Sequence, residues 1–185
     1  MKQRVELKIG GFGGQGVILA GMIMGRGAAI HDGLDATLTQ SFGPEARGGA
    51  CSAQVVLSPD RNLYPCVSHP DILVVMSQPA YDKFIGEVKP GALLLYEESL
   101  VKPEPLPPGV KAYGIPATQL AEELGRRMVL NIVMVGFLAA LTDAVSLEAV
   151  KKALAESVPK GTEKLNLDAF QKGFEYGRKL VAQKK

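Results

Sequence analysis

The stretch Gly10-Gly11-Phe12-Gly13-Gly14-Gln15-Gly16-Val17 constrains the fold more than any other part of the chain. It follows an alternating run, Val5-Glu6-Leu7-Lys8-Ile9, and precedes a proline-free run of small and apolar residues from Val17 to Ile30. That order predicts a strand, a glycine turn and a helix. Such a turn aims several backbone N–H groups at one spot, at the positive end of a helix, which makes an anion cradle. The spacing Gly11-x-Gly13-x-x-Gly16 also fits the dinucleotide-binding fingerprint. A tight strand–helix turn with no ligand fits the same residues, with Gln15 hydrogen-bonding either to backbone or across an interface.

The fingerprint asks for an acidic residue at the end of the second strand, ~20 residues past the glycines, to hold a ribose hydroxyl. Here Asp35 opens the second predicted strand, Asp35 to Ser41, and Gln40 and Ser41 end it. A free-standing NAD-binding Rossmann oxidoreductase is therefore the second reading, not the first. A second loop follows at once, Ser41-Phe42-Gly43-Pro44-Glu45-Ala46-Arg47-Gly48-Gly49. Pro44 fixes one φ angle, and Gly43, Gly48 and Gly49 admit conformations that other residues resist. Arg47 offers a planar donor fork for carboxylate or phosphate. Two readings stand: a surface hairpin held by a Glu45–Arg47 pair, or a rigid loop presented to a ligand or another subunit.

The rest reads as α/β passing into α. Val5, Leu7 and Ile9 alternate with Arg4, Glu6 and Lys8, a pattern that suits a strand near a sheet edge, or one whose charged face another polypeptide covers. Further strands are expected at Ala50–Leu57, Asp71–Met76, Ala92–Tyr96 and Val110–Ile115. Ser77 is the expected N-cap of a helix with Pro79 in its first turn. Residues 102–108 hold four prolines and form an extended connection. Helices are expected at Ala117–Leu124, at Met128–Leu141, from Ser146 to near Pro159, and along Leu167, Phe170, Phe174 and Val181. The glycines of the first helix, Gly21 and Gly25 among them, call for close approach of a neighbouring backbone. No linker divides the 185 residues, so a single domain, 1–185, is expected: a Rossmann-like sheet with a glycine-rich first strand–helix turn and a helical C-terminal part.

The chemistry expected of the side chains is sparse. Cys51 and Cys66 lack the spacing and the partners of a zinc or iron–sulfur site, so no metal site is expected. His31 and His69 are expected as solvated loop histidines, no nucleophile motif is present, and no catalytic residue is assigned. A net charge of +2 gives no case for nucleic acid or for an anionic membrane surface. The N-terminus has no signal-peptide core, and the Met128–Leu141 run is shorter than the ~20 residues of a bilayer span. A cytoplasmic protein that touches no membrane is expected.

Taken together, the two loops resemble those of the gamma subunit of 2-oxoacid:ferredoxin oxidoreductases. The similarity extends to Asp71–Ala80 and to Asn131–Leu138. The resemblance implies a Rossmann-like subunit of a complex that oxidatively decarboxylates a 2-oxoacid with coenzyme A, yielding acyl-CoA, carbon dioxide and reduced ferredoxin. It implies partners of alpha, beta and delta type, ferredoxin as acceptor, and thiamine diphosphate, magnesium and iron–sulfur clusters held elsewhere in the complex. Family members that act on pyruvate tend to carry Pro-Glu-Arg-Arg-Gly in the second loop. This chain has Pro44-Glu45-Ala46-Arg47-Gly48 and looks more like the 2-oxoglutarate type. The resemblance assigns ligand or subunit contact to Gly11, Phe12, Gly13, Gly14, Gln15, Gly16, Ser41, Phe42, Gly43, Pro44, Glu45 and Arg47. Two roles remain open for them: holding other subunits, or also binding the phosphates of coenzyme A.

Overall fold

A computed structural model of the chain describes residues 3–42, 50–61 and 64–183. The strands are β1 (Val5–Phe12), β2 (Asp35–Ser41), β3 (Ala50–Ser58), β4 (Ile72–Val75), β5 (Leu93–Glu97) and β6 (Lys111–Ile115). They form one sheet in the order β2-β3-β1-β4-β5-β6. β1, β4, β5 and β6 are mutually parallel, whereas β3 runs antiparallel to both of its neighbours. The helices are α1 (Val17–Arg26, continued by a π turn to His31), α2 (Gln78–Phe84), α3 (Ala117–Glu122), α4 (Leu130–Leu141), α5 (Leu147–Ser157) and α6 (Glu163–Gln183).

β1 is central, not at an edge. It lies between β3 and β4, and its charged side chains are covered by the chain itself. Glu6 and Lys8 are 4% and 5% exposed. The Glu6 carboxylate accepts the backbone N–H groups of Ser68 and His69 at 3.0 and 3.1 Å and pairs with Arg4 at 2.9 Å. Lys8 pairs with Glu87 and sits over the Phe84 ring, 4.8 Å from its centre. Each buried charge thus has a partner, without which burial would be prohibitive. The alternation that suggested an edge strand marks two different packings: Leu7 and Ile9 join the main core, and Glu6 and Lys8 meet the α2 side.

The long apolar run became α4, buried along Leu130–Leu138. One side of α4 meets the sheet near Ile9 and Val74, and the other meets α6. This double coverage explains a helix that is apolar all round. No helix among the described residues is long and apolar enough to cross a membrane. The α4–α6 crossing is set by glycines: a Cβ on Gly136 would lie 2.0 Å from the Phe170 carbonyl oxygen, and one on Gly173 would lie 1.9 Å from that of Val133. On the opposite face of the sheet, α2 packs against Gly10 through Ala80 and Phe84. Ser77 caps α2 as expected, its hydroxyl accepting the Ala80 N–H.

Candidate functional site

β1 and β4 lie side by side and parallel, yet α1 and α2, which follow them, cover opposite faces of the sheet. The carboxyl ends of such a strand pair open a crevice, the usual ligand position in open α/β sheets. Here Gln15 spans it. Its Oε1 accepts the Phe12 N–H at 2.6 Å, and its Nε2 donates to the Met76 carbonyl at 2.9 Å. Gly11 makes room for this, since a Cβ there would lie 2.6 Å from the Gln15 Oε1. Of the two roles open to Gln15, the side chain takes the backbone one.

Gly16 then starts α1 in the left-handed region, at φ 73°. A Cβ on it would also meet the Asn131 amide at 2.3 Å. Asn131, buried at the start of α4, donates from Nδ2 to the Gly16 carbonyl at 3.1 Å. Asn131 falls in the stretch that resembles the family, and a lone asparagine at the start of an apolar helix is the sequence signal for a bond that only the packed α4 reveals. Among the described residues, α1 has neither a side-chain cap nor an acidic residue in its first turn, so nothing there offsets the positive end of the helix.

Sheet register brings the two loops together. Phe12 pairs with Ala50 and Ser41 with Ser52, so both loops leave the same end of the sheet. Gly43, Pro44, Glu45 and Arg47 lie outside the described residues. Phe42, at the margin, is 67% exposed. It borders a cleft of about 660 Å³ shared with Phe12, Gly13, Gly14 and Cys51. Cys51 is a buried core residue on the wall of this cleft, and burial pushes its thiol up. A second cleft, of about 290 Å³, opens on the other side of Gly14 and Gly16. Arg126, Met128, Asn131, Thr162 and Leu165 line it, and Met128 is 82% exposed. The N-terminal ends of α1, α4 and α6 all reach this cleft, beside Arg126.

The nicotinamide reading fails on topology. β3 stands between β1 and β2, which moves the end of β2 two strand spacings, about 9–10 Å, from the glycine turn. Asp35 lies at the other end of β2, paired with Ser58. Among the described residues, no group of three or more His, Cys, Asp or Glu side chains could hold a metal ion. His69 is exposed, its Nδ1 3.1 Å from the Glu87 carbonyl, whereas His31 is not the solvated loop residue expected: it closes the π turn, is only partly exposed and faces Glu156 at 3.3 Å. Sequence reasoning missed Glu97. Fully buried at the end of β5, it accepts the Thr118 N–H at 3.2 Å and so caps α3 from a neighbouring strand.

The family model for pyruvate ferredoxin/flavodoxin oxidoreductase matches residues 6–176. The chain belongs to this family. It is 50% identical over 182 residues to the 2-oxoglutarate synthase subunit KorC of Methanocaldococcus jannaschii, covering 97% of each chain. The crystal structure of a keto/oxoacid ferredoxin oxidoreductase gamma subunit from Geobacter sulfurreducens superposes with a TM-score of 0.82 at 40% identity, over 94% of this chain and 98% of that one. The 2-oxoglutarate:ferredoxin oxidoreductase of Magnetococcus marinus, solved with 2-oxoglutarate, coenzyme A and succinyl-CoA bound, gives a TM-score of 0.86 at 27% identity. This chain covers 32% of that longer polypeptide, so the same unit occurs both alone and fused. The family expected from the paired loops is borne out, as is the mixed α/β fold with its helical C-terminal part.

Proposed function

We propose that this chain is the gamma subunit of a 2-oxoglutarate:ferredoxin oxidoreductase, which converts 2-oxoglutarate and coenzyme A to succinyl-CoA and carbon dioxide and passes the electrons to ferredoxin. The full-length similarity to KorC carries the substrate assignment. The chain is an auxiliary part of the enzyme. Thiamine diphosphate, magnesium and iron–sulfur clusters belong to alpha, beta and delta partners.

Within that complex, the glycine turn and the second loop form a docking surface for a neighbouring subunit. The supporting observation is the contrast around Gln15: its polar atoms are spent on the chain's own backbone, while Phe42 and Met128 stand exposed on either side of the turn. Each borders a cleft that opens beside the turn, and apolar groups at the mouths of such clefts suit contact with another chain. A Phe42→Glu, Met128→Glu double variant, purified through a tag on this chain, should lose its partner subunits while keeping its own circular dichroism spectrum. Retention of all partners overturns this docking role.

A second reading is favoured by the positive helix ends beside Arg126: the same surface also takes the phosphates of coenzyme A through backbone N–H groups, with Arg47 and Arg126 as cationic partners. Arg47→Ala separates the two roles. An intact complex with a raised KM for coenzyme A supports phosphate contact, and a complex that falls apart supports subunit contact alone.

A further inference from the structure

We propose that the cleft at the C-terminal end of α4 takes a small zwitterion, a free α-amino acid with an apolar side chain. The cleft has a volume of about 520 Å³ and lies between the end of α4, the start of α5, the segment after the π turn and the later part of α6. That volume suits a small-molecule site. α4 runs from Asn131, beside the glycine turn, to Leu141, about 15 Å away along the helix. The proposal therefore concerns the far end of α4 and does not depend on the docking role given to the turn.

The polar side chains of the cleft fall into two sets. The first is spent on the chain itself. Both Asp32 carboxylate oxygens hold Ser146, accepting its N–H at 2.7 Å and its hydroxyl at 2.6 Å. The Thr142 hydroxyl donates to the Leu138 carbonyl at 2.9 Å. The second set is Asp143 and Arg178. Both line the cleft, and among the described residues neither makes an ion pair or a hydrogen bond, with the other or with any third group. Two opposite charges thus border one cavity without neutralising each other.

The backbone adds to the negative side. The last carbonyl groups of a helix lack intrahelical partners and carry its negative end. Ala139 and Ala140 bring that end of α4 to the cleft, and no basic residue stands in its last turn. An ammonium group bound here meets Asp143 and the end of α4. A carboxylate meets the Arg178 guanidinium, whose planar fork suits two oxygens. Leu34, Leu147 and Phe174 are part-exposed apolar walls against which a side chain can lie. A ligand with one charge leaves either Asp143 or Arg178 unmatched, so the pair favours a zwitterion. Asp143 and Arg178 are themselves exposed, so water screens both contacts and the expected affinity is millimolar.

Isothermal titration of the full chain with L-leucine tests this, with isopentylamine and isocaproate as analogues that lack the carboxylate and the ammonium group. The wild type should bind leucine at millimolar concentration and each analogue about tenfold more weakly. Asp143→Asn and Arg178→Gln should each weaken leucine binding about tenfold, with an unchanged circular dichroism spectrum. Leucine should shift the backbone amide resonances of Ala140, Thr142 and Leu147 and leave those of Gly14 and Gly16 in place, a readout that needs no variant. A wild type that binds no leucine at these concentrations overturns the proposal. So does an analogue that binds as well as leucine, a folded variant that binds as well as the wild type, or a set of shifts confined to the glycine turn.

Discussion

The Gln15 side chain binds the Met76 carbonyl at 2.9 Å and the Phe12 N–H at 2.6 Å, and so ties the turn after β1 to the end of β4. Gln15→Ala leaves two part-buried backbone groups without their partner, at about 1–3 kcal/mol each. Gln15→Glu keeps an acceptor for Phe12 but turns a carboxylate toward the Met76 carbonyl. Urea unfolding should show both variants less stable than the wild type, the glutamate variant no better than the alanine one.

The α4–α6 crossing should tolerate no side chain at its two contact glycines. In Gly136→Ala and Gly173→Ala the new methyl group meets backbone of the facing helix, at 2.0 and 1.9 Å, where no rotamer change relieves it. The helices must move apart, so the loss should reach or exceed the ~1–3 kcal/mol usual for overpacking. Thermal unfolding of each variant measures it.

Lys8 and Glu87 should respond asymmetrically. Lys8 is buried and Glu87 is partly exposed. Glu87→Ala strands the ammonium group in the interior, which is strongly destabilising. Lys8→Met removes the buried charge, keeps the contact with Phe84, and returns Glu87 to water. We expect a clear loss of denaturant midpoint for the first and little change for the second.

Glu98 gives a pH-dependent signature. Glu98 is exposed as a residue, but partial desolvation of its carboxyl, and then the charge of Glu97, push that group above the ordinary value, so the effect is small. A raised carboxyl favours folding in its protonated form. Its contribution is therefore fully present below the ordinary carboxylate value and is lost as pH rises through the raised one. Glu98→Gln should melt higher than the wild type at neutral pH, and the difference should close as the medium is acidified. A constant difference across that range would mean that Glu98 is not the group responsible.

Much of this was legible in the chain itself. β2 has the predicted limits, the Ser77 cap is present, and the α6 spacing of Leu167, Phe170 and Phe174 marked a real apolar face. Local signals specify local structure. What remained hidden depended on neighbours distant in sequence. Glu6 and Lys8 look like solvated residues until Ser68, His69 and Glu87 are known to surround them. Gly136 and Gly173 look like helix defects until each is placed against the other helix. The glycine turn was recognised, but its internal closure by Gln15 and Asn131 needed Met76 and α4 in place. Glu97 carried no pattern at all, because its partner is the N–H of Thr118 in a later helix.

The most direct test of the central claim is reconstitution. The chain is co-expressed with its candidate alpha, beta and delta partners and purified through a tag on this chain, and the product is assayed for coenzyme-A-dependent reduction of a viologen dye. The account predicts that the partners co-purify and that 2-oxoglutarate is turned over in preference to pyruvate and 2-oxoisovalerate. A chain that purifies alone and inert, while the other subunits assemble with one another, would contradict it.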